Sequence, residues 1–214
     1  MVKSDFNHVN TWVFDLDNTL YPPSVNLFAQ IETLMNDYMV RELEVGHTQA
    51  AELRKTYWET YGTTLAGLMA EHNLPPDPFL REVHDIDFTV LPKDLALRTA
   101  ITALPGRKII YTNGYKPYAQ NVINACGLDG LFDAIYGIEH AHYRPKPERA
   151  AFETIFALDD LDPTRAAMFE DDTRNLAVPR AMGMRTIHVA PTAHPQPHIQ
   201  YHTANLAAFL SQLV

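Results

Sequence analysis

A chain of 214 residues, 46% of them hydrophobic, can bury the core of one domain with a generous insertion or of two small domains. Its net charge of −9 argues against the basic stripe that a nucleic-acid polymer requires, and an anionic substrate would need local help from a cation, a lysine or backbone N–H groups. A lone cysteine, Cys126, rules out an internal disulfide, and no apolar run resembles a signal peptide or reaches membrane-spanning length, so a cytoplasmic protein that binds no membrane is expected.

The first predicted element is a buried strand, "TWVFDLD" (11–17), a short apolar run biased toward β-branched and aromatic residues. Helical spacing follows in "NLFAQIETLMNDYMVREL", with Leu27, Ile31, Leu34, Tyr38 and Leu43 apolar. "HTQAAELRKTYWETYG" reads as a second helix, with Thr48 as N-cap and Gly62 as its stop. "TTLAGLMAEHN" and "DPFLREVHDI" are two short helices separated by "LPPDP", and "PKDLALRTAITALPG" is another that ends before Pro105.

From residue 107 the pattern alternates. "RKIIYTNG" is a strand, "KPYAQNVINACG" a helix whose end packs Cys126, "FDAIYGI" a strand, and "PERAAFETIFAL" a helix beginning at Pro147. "RAAMFEDD" is a strand, "TRNLAVPRAMG" a helix, "MRTIHVA" a strand, and "TANLAAFLSQLV" a last helix after the loop "PTAHPQPH". Such alternation specifies an α/β fold with a doubly wound, Rossmann-like parallel sheet. A parallel crossover needs only a dozen or so residues, yet roughly 85 almost purely helical ones separate the first strand from the second. The surplus is expected to form a helical cap domain, residues 22–104, inserted after the first strand into a core of residues 1–21 and 105–214. It leaves from the carboxyl end of a strand, where ligands bind in open α/β sheets, and is placed to act as a lid.

Chemistry-bearing residues gather at those strand ends. Asp15 and Asp17 end the first strand, and residues i and i+2 of a strand share a side. Thr112 ends the second, where Asn113 and Gly114 can turn backbone N–H groups toward an anion. Lys146 lies in the loop before a helix, and Glu170, Asp171 and Asp172 close "RAAMFEDD". Each residue alone is ordinary; their conjunction on one sheet edge suits phosphoryl transfer. A magnesium ion held by Asp15 and Asp171 would offset the repulsion between carboxylates and a phosphate, and Lys146 would take up remaining charge. One carboxylate can attack phosphorus while the other protonates the leaving oxygen and then activates water.

At these residues the sequence resembles the haloacid dehalogenase superfamily: "DLDNTLY", "YTNG", "RPKPE" and "FEDDTRNL" look like its four motifs, in order. The helical insert matches the branch capped after the first motif, and Asn18, Tyr21 and the following "PP" are similar to the pyrimidine 5′-nucleotidase-like group. By that resemblance Asp15 is the nucleophile and a magnesium ligand. Asp17 is the general acid/base and lends its backbone carbonyl to the metal. Thr112 and Lys146 hold the phosphoryl group, and Asp171 is the third protein ligand. The implied reaction is magnesium-dependent hydrolysis of a phosphomonoester through an aspartyl phosphate, and the implied substrate is a nucleoside 5′-monophosphate.

The last motif departs from G-D-x-x-x-D, with Glu170 in place of the Gly and Asn175 in place of the final Asp. Asp172 and Asn175 compete for the supporting role there. Alternative substrates are phosphoglycolate or a sugar phosphate. A haloacid dehalogenase shares the nucleophile but needs no metal and lacks the second acid, which Asp17 supplies here. A signalling receiver also uses Asp, Thr and Lys, but in another order and without a helical lid. His194, His198 and His202 read as a surface loop, His140 and His142 as a loop near Lys146. Tyr57, Trp58 and Tyr61, which could stack a base, are expected in the packing of the insert.

Overall fold

A computed structural model describes residues 2–214. Six parallel strands form one sheet: β1 (Thr11–Phe14), β2 (Arg107–Tyr111), β3 (Ala134–Tyr136), β4 (Ala166–Glu170), β5 (Arg185–Val189) and β6 (Tyr201–Thr203), ordered β3-β2-β1-β4-β5-β6. β1 is central because its side chains are buried on both faces. Trp12 and Phe14 point to one side, where Phe14 stacks on Phe169 with centroids 4.8 Å apart, and Val13 points to the other. After β1 the chain builds outward on one side through β2 and β3, then returns to place β4 on the other. That reversal opens a crevice at the carboxyl ends of β1 and β4.

The chain between β1 and β2 carries helices α1 (Phe28–Leu43), α2 (His47–Tyr61), α3 (Thr64–His72), α4 (Pro76–Val83) and α5 (Leu95–Ala103). The first four pack on one another, α1 against α2 and α4, and α3 against both α2 and α4. The fifth packs against α9 (Leu206–Leu210), on the sheet face that α6 (Lys116–Ala125) also covers. The opposite face is covered by α7 (Arg149–Leu158), whose Phe152, Ile155 and Phe156 meet Val13, Ile109 and Met168, with Leu176 beside α8 (Ala177–Ala181) completing that layer.

Several boundaries differ from the sequence reading. Helix α2 begins at His47 with Gly46 as its N-cap, so Thr48 lies inside the first turn. Pro147 precedes α7, because the Glu148 N–H closes a turn on Pro145 O and Glu148 takes the N-cap position. "TRNLAVPRAMG" splits into a 3₁₀ turn (Thr173–Leu176) and α8, since Pro179 has no N–H and is tolerated only in the first turn of a helix. β6 falls in a segment read as loop. No helix among the described residues is long and apolar enough to cross a membrane.

Candidate active site

The turn after β1 aims the first two acids. The Asp15 N–H still bonds to Phe169 O of β4 at 2.9 Å, and Asn18 then adopts a left-handed conformation (φ 58°) that asparagine tolerates. The chain thereby folds back, with the Leu20 N–H on Leu16 O at 2.9 Å, and the Thr19 hydroxyl donates to Asp15 Oδ2 at 3.0 Å. The other oxygen, Oδ1, accepts from Lys146 Nζ at 2.7 Å. Lys146 is itself buried and donates to Glu170 Oε2 at 2.6 Å and to Tyr111 O at 3.2 Å. A single ammonium thus sits between two buried carboxylates.

One cation does not balance the acids around it. Burial, with the nearby Glu170 charge, pushes the Asp15 carboxyl up to about 7 against the pull of Lys146. Burial and Asp171 push Glu170 up to about 8, and burial and Asp15 push Asp171 up to about 6. Burial would lower the Lys146 ammonium, but the charges of Asp15 and Glu170 outweigh it and hold the amine above its ordinary range. Asp15, Glu170 and Asp171 each offer an oxygen within 4.8 Å of the others. Clustered, under-neutralised oxygen donors of this kind fit a hard divalent cation.

Asp17 stands apart from that cluster. Two phenols, Tyr21 at 2.6 Å and Tyr118 at 2.5 Å, donate to its Oδ1. Burial raises the Asp17 carboxyl, and the two phenol donors oppose the rise. Tyr118 in turn lies under the ring of His84, at the end of α4, with centroids 4.3 Å apart. The two neighbouring acids of the sequence therefore occupy different surroundings, one beside a lysine and one beneath two tyrosines.

Thr112 is buried, and its Oγ accepts from the Gly114 N–H at 2.9 Å. Asn113 brackets the Lys146 loop: its Nδ2 donates to Lys146 O at 3.1 Å, and its Oδ1 accepts from Lys146 N at 2.8 Å. Thr112, Asn113 and Lys146 are thus brought together, with the Gly114 N–H taken up inside its own turn. Asp171 accepts from Asn18 Nδ2 at 3.2 Å and is seated from below by His188, whose Nε2 lies 2.9 Å from Asp171 O. Asp172 is occupied elsewhere, accepting from the Arg174 backbone at 3.0 Å and from its guanidinium at 2.6 Å. Asn175 is buried, and Asp172 does not belong to the acid cluster. His198 and His202 lie within hydrogen-bond distance of the backbone carbonyls of Thr173 and Ala190.

A cavity of about 580 Å³ lies between the strand ends and helices α1–α4, with Asp17, Asn113 and Gly114 on the core side. Phe28, Met35, Phe79 and Trp58 line the helical side, with Glu32 and Arg54 paired at 2.7 Å among them. Four residues that matter here were not singled out for the site by sequence: Glu170, Tyr118, Trp58 and Arg174. Two left a signal: Glu170, as an acid where the motif ordinarily has glycine, and Trp58, as an aromatic that could stack a base.

Comparison with known proteins gives three results. A family model described as haloacid dehalogenase-like hydrolase matches residues 9–183. Phosphate metabolism protein 8 of Saccharomyces cerevisiae is 29% identical over 198 residues, covering 82% of this chain and 60% of that protein, so the chain spans about 60% of the length of this curated relative. Among solved structures, a HAD phosphatase from Thermococcus onnurineus matches 96% of this chain and 98% of its own, with a TM-score of 0.64 at 16% identity. A 2-haloacid dehalogenase from Pseudomonas syringae matches with the same coverage and a TM-score of 0.61 at 17% identity. These structural likenesses are likenesses of fold.

Proposed function

The chain belongs to the haloacid dehalogenase-like hydrolases, and within that family we propose that it is a magnesium-dependent phosphomonoesterase acting through an aspartyl phosphate on Asp15. The observation that carries this reading is the division of labour between Asp15 and Asp17. Asp15 is held by Lys146 and Thr19 within the acid cluster, while Asp17 is held by two tyrosines on the cavity side. A nucleophile and a separate acid/base are what phosphate ester hydrolysis needs, whereas carbon–halogen displacement expels a halide that needs no proton.

In the first step a carboxylate oxygen of Asp15 forms a bond to phosphorus as the ester P–O bond breaks. The proton of Asp17 goes to the departing alkoxide. In the second step Asp17, now ionised, takes a proton from water, whose oxygen bonds to phosphorus while the bond to Asp15 breaks. Lys146 keeps Asp15 oriented and offsets its charge, and Asn113 holds the loop that brings Lys146 there. Asp15, Asp171 and the Asp17 carbonyl would hold magnesium, which supplies positive charge for a dianionic phosphoryl group among carboxylates.

Helices α1–α4 are read as the cap over this site, with α5 serving the core layer against α9. A cavity of about 580 Å³ falls in the range of sites for small organic ligands. Its aromatic and apolar wall, with the Glu32–Arg54 pair set in it, supports a planar polar leaving group, hence a pyrimidine nucleoside 5′-monophosphate. A phosphate-release screen across phosphomonoesters, with magnesium and with chelator, tests both levels. The expected result is magnesium-dependent release with kcat/KM on UMP or CMP above that on phosphoglycolate or hexose phosphates. A reversed order would end the nucleotidase reading and leave the phosphatase. Halide release from a 2-haloacid, with no phosphate release from any ester, would end both.

A further inference from the structure

The cap touches the core at several places, among them a hydrogen bond from the Tyr143 hydroxyl to Asp77 of α4 at 2.9 Å. Near the chain connections, His84 and Phe88 pack on Tyr118. The last turn of α2 reaches across to the two loops that carry Lys146 and Asp171. Gly62 ends that helix with a φ of +84°, and a Cβ there would lie 3.2 Å from the Pro145 ring and 3.5 Å from Lys146 O. One turn earlier, the Trp58 ring carries the guanidinium of Arg174, with Cζ 3.9 Å from its centroid.

Arg174 is a core residue of the 3₁₀ turn directly after the acid cluster, and its plane is fixed. Its Nε lies 3.0 Å and its Nη2 2.6 Å from Asp172 Oδ2, and Asp172 also accepts the backbone N–H of Arg174. A guanidinium forked onto a carboxylate keeps its flat face free for an aromatic ring. Trp58 remains 47% exposed, so packing inside the cap does not account for a tryptophan at this position. Its ring faces Arg174 and borders the cavity.

We infer that Trp58 and Arg174 form the clasp that seats the cap on the core, with Arg174 acting as a positioning residue held ready by Asp172. Through it, the seat of the cap is tied to the turn that follows Asp171. A cation–π contact suits a cap that must open at each turnover, because it biases a closing equilibrium by only about 2- to 30-fold. This inference rests on the cap-and-core reading above and not on the identity of the substrate.

The test uses the full chain and the variants W58F, W58A, R174A, R174K and W58A/R174A. Acrylamide quenching reports the exposure of Trp58; the other tryptophan, Trp12, is buried, and W58F isolates its contribution. R174A should raise quenching at Trp58 about twofold, and R174K should restore part of the protection. With p-nitrophenyl phosphate and magnesium, W58A and R174A should each lower kcat/KM about fivefold, and the double variant no further than the larger single loss. Unchanged quenching in R174A, or a double-variant loss equal to the product of the single losses, would overturn the clasp. If the protein released no phosphate from any ester, the phosphatase reading would fall, and quenching alone would decide the clasp.

Discussion

Lys146 Nζ lies 2.7 Å from Asp15 Oδ1, and the same ammonium lies 2.6 Å from Glu170 Oε2. All three groups are buried. Lys146 is therefore a structural bridge between the ends of β1 and β4 as well as a candidate phosphate-binding group.

Glu170→Ala removes one side of that bridge and leaves the ammonium with Asp15 and a carbonyl. The ammonium keeps its pairing with Asp15, so denaturant unfolding should show a loss of about 1–2 kcal/mol for the missing charged hydrogen bond, below the ~3 kcal/mol of a buried charge left alone. A loss near zero would mean that the Asp15 contact suffices on its own.

Asp17→Asn should leave the fold intact, because an amide can still accept from Tyr21 and Tyr118. The rate on a poor leaving group should fall roughly 10²- to 10⁴-fold, the usual worth of general acid–base catalysis. Esters with very good leaving groups should lose less in the first step. Equal losses for good and poor leaving groups in single-turnover kinetics would count against the acid role.

The His84 ring, stacked on Tyr118, gives a pH dependence of stability. Burial lowers its imidazole to about 4, whereas an unfolded chain takes up that proton near 6.5. Between those values the unfolded state binds more protons, so this contribution to stability is lost as pH falls from 6.5 toward 4. His84→Gln should show a smaller drop in Tm between pH 7 and pH 5 than the parent. Identical drops would remove His84 as the cause.

Gly67→Ala tests the packing inside the cap. Alanine favours a helix interior by about 1 kcal/mol over glycine. Here a Cβ on Gly67 would run into the Cβ and ring of buried Tyr57 on α2, and overpacking costs about 1–3 kcal/mol. Lower stability by thermal melting is expected; a raised Tm would show that α2 and α3 part easily.

The sheet, the inserted helices and the gathering of Asp15, Lys146 and Asp171 were legible because strand ends in a parallel sheet, and the loops that follow them, share one edge. What escaped depends on partners remote in sequence. Tyr118 occupies an apolar position of an amphipathic helix, and its hydroxyl meets an acid 101 residues earlier. Periodicity marks α5 as a helix but does not say that α9 is its neighbour. β6 is three residues long, polar and at the sheet edge, without the apolar run that announces a strand. Trp58, expected in the packing of the insert, is 47% exposed, and its contact with Arg174 shows only when the cap is set on the core.

The proposed hydrolysis passes through a covalent phosphoryl group on Asp15. Rapid acid quench of the protein during turnover of a phosphomonoester with magnesium, followed by peptide mapping by mass spectrometry, locates any adduct. Phosphate is expected on the peptide containing Asp15, chased away by further water and absent from a folded, inactive Asp15→Asn variant. Steady phosphate release with no adduct on that peptide, or undiminished turnover by Asp15→Asn, would contradict it.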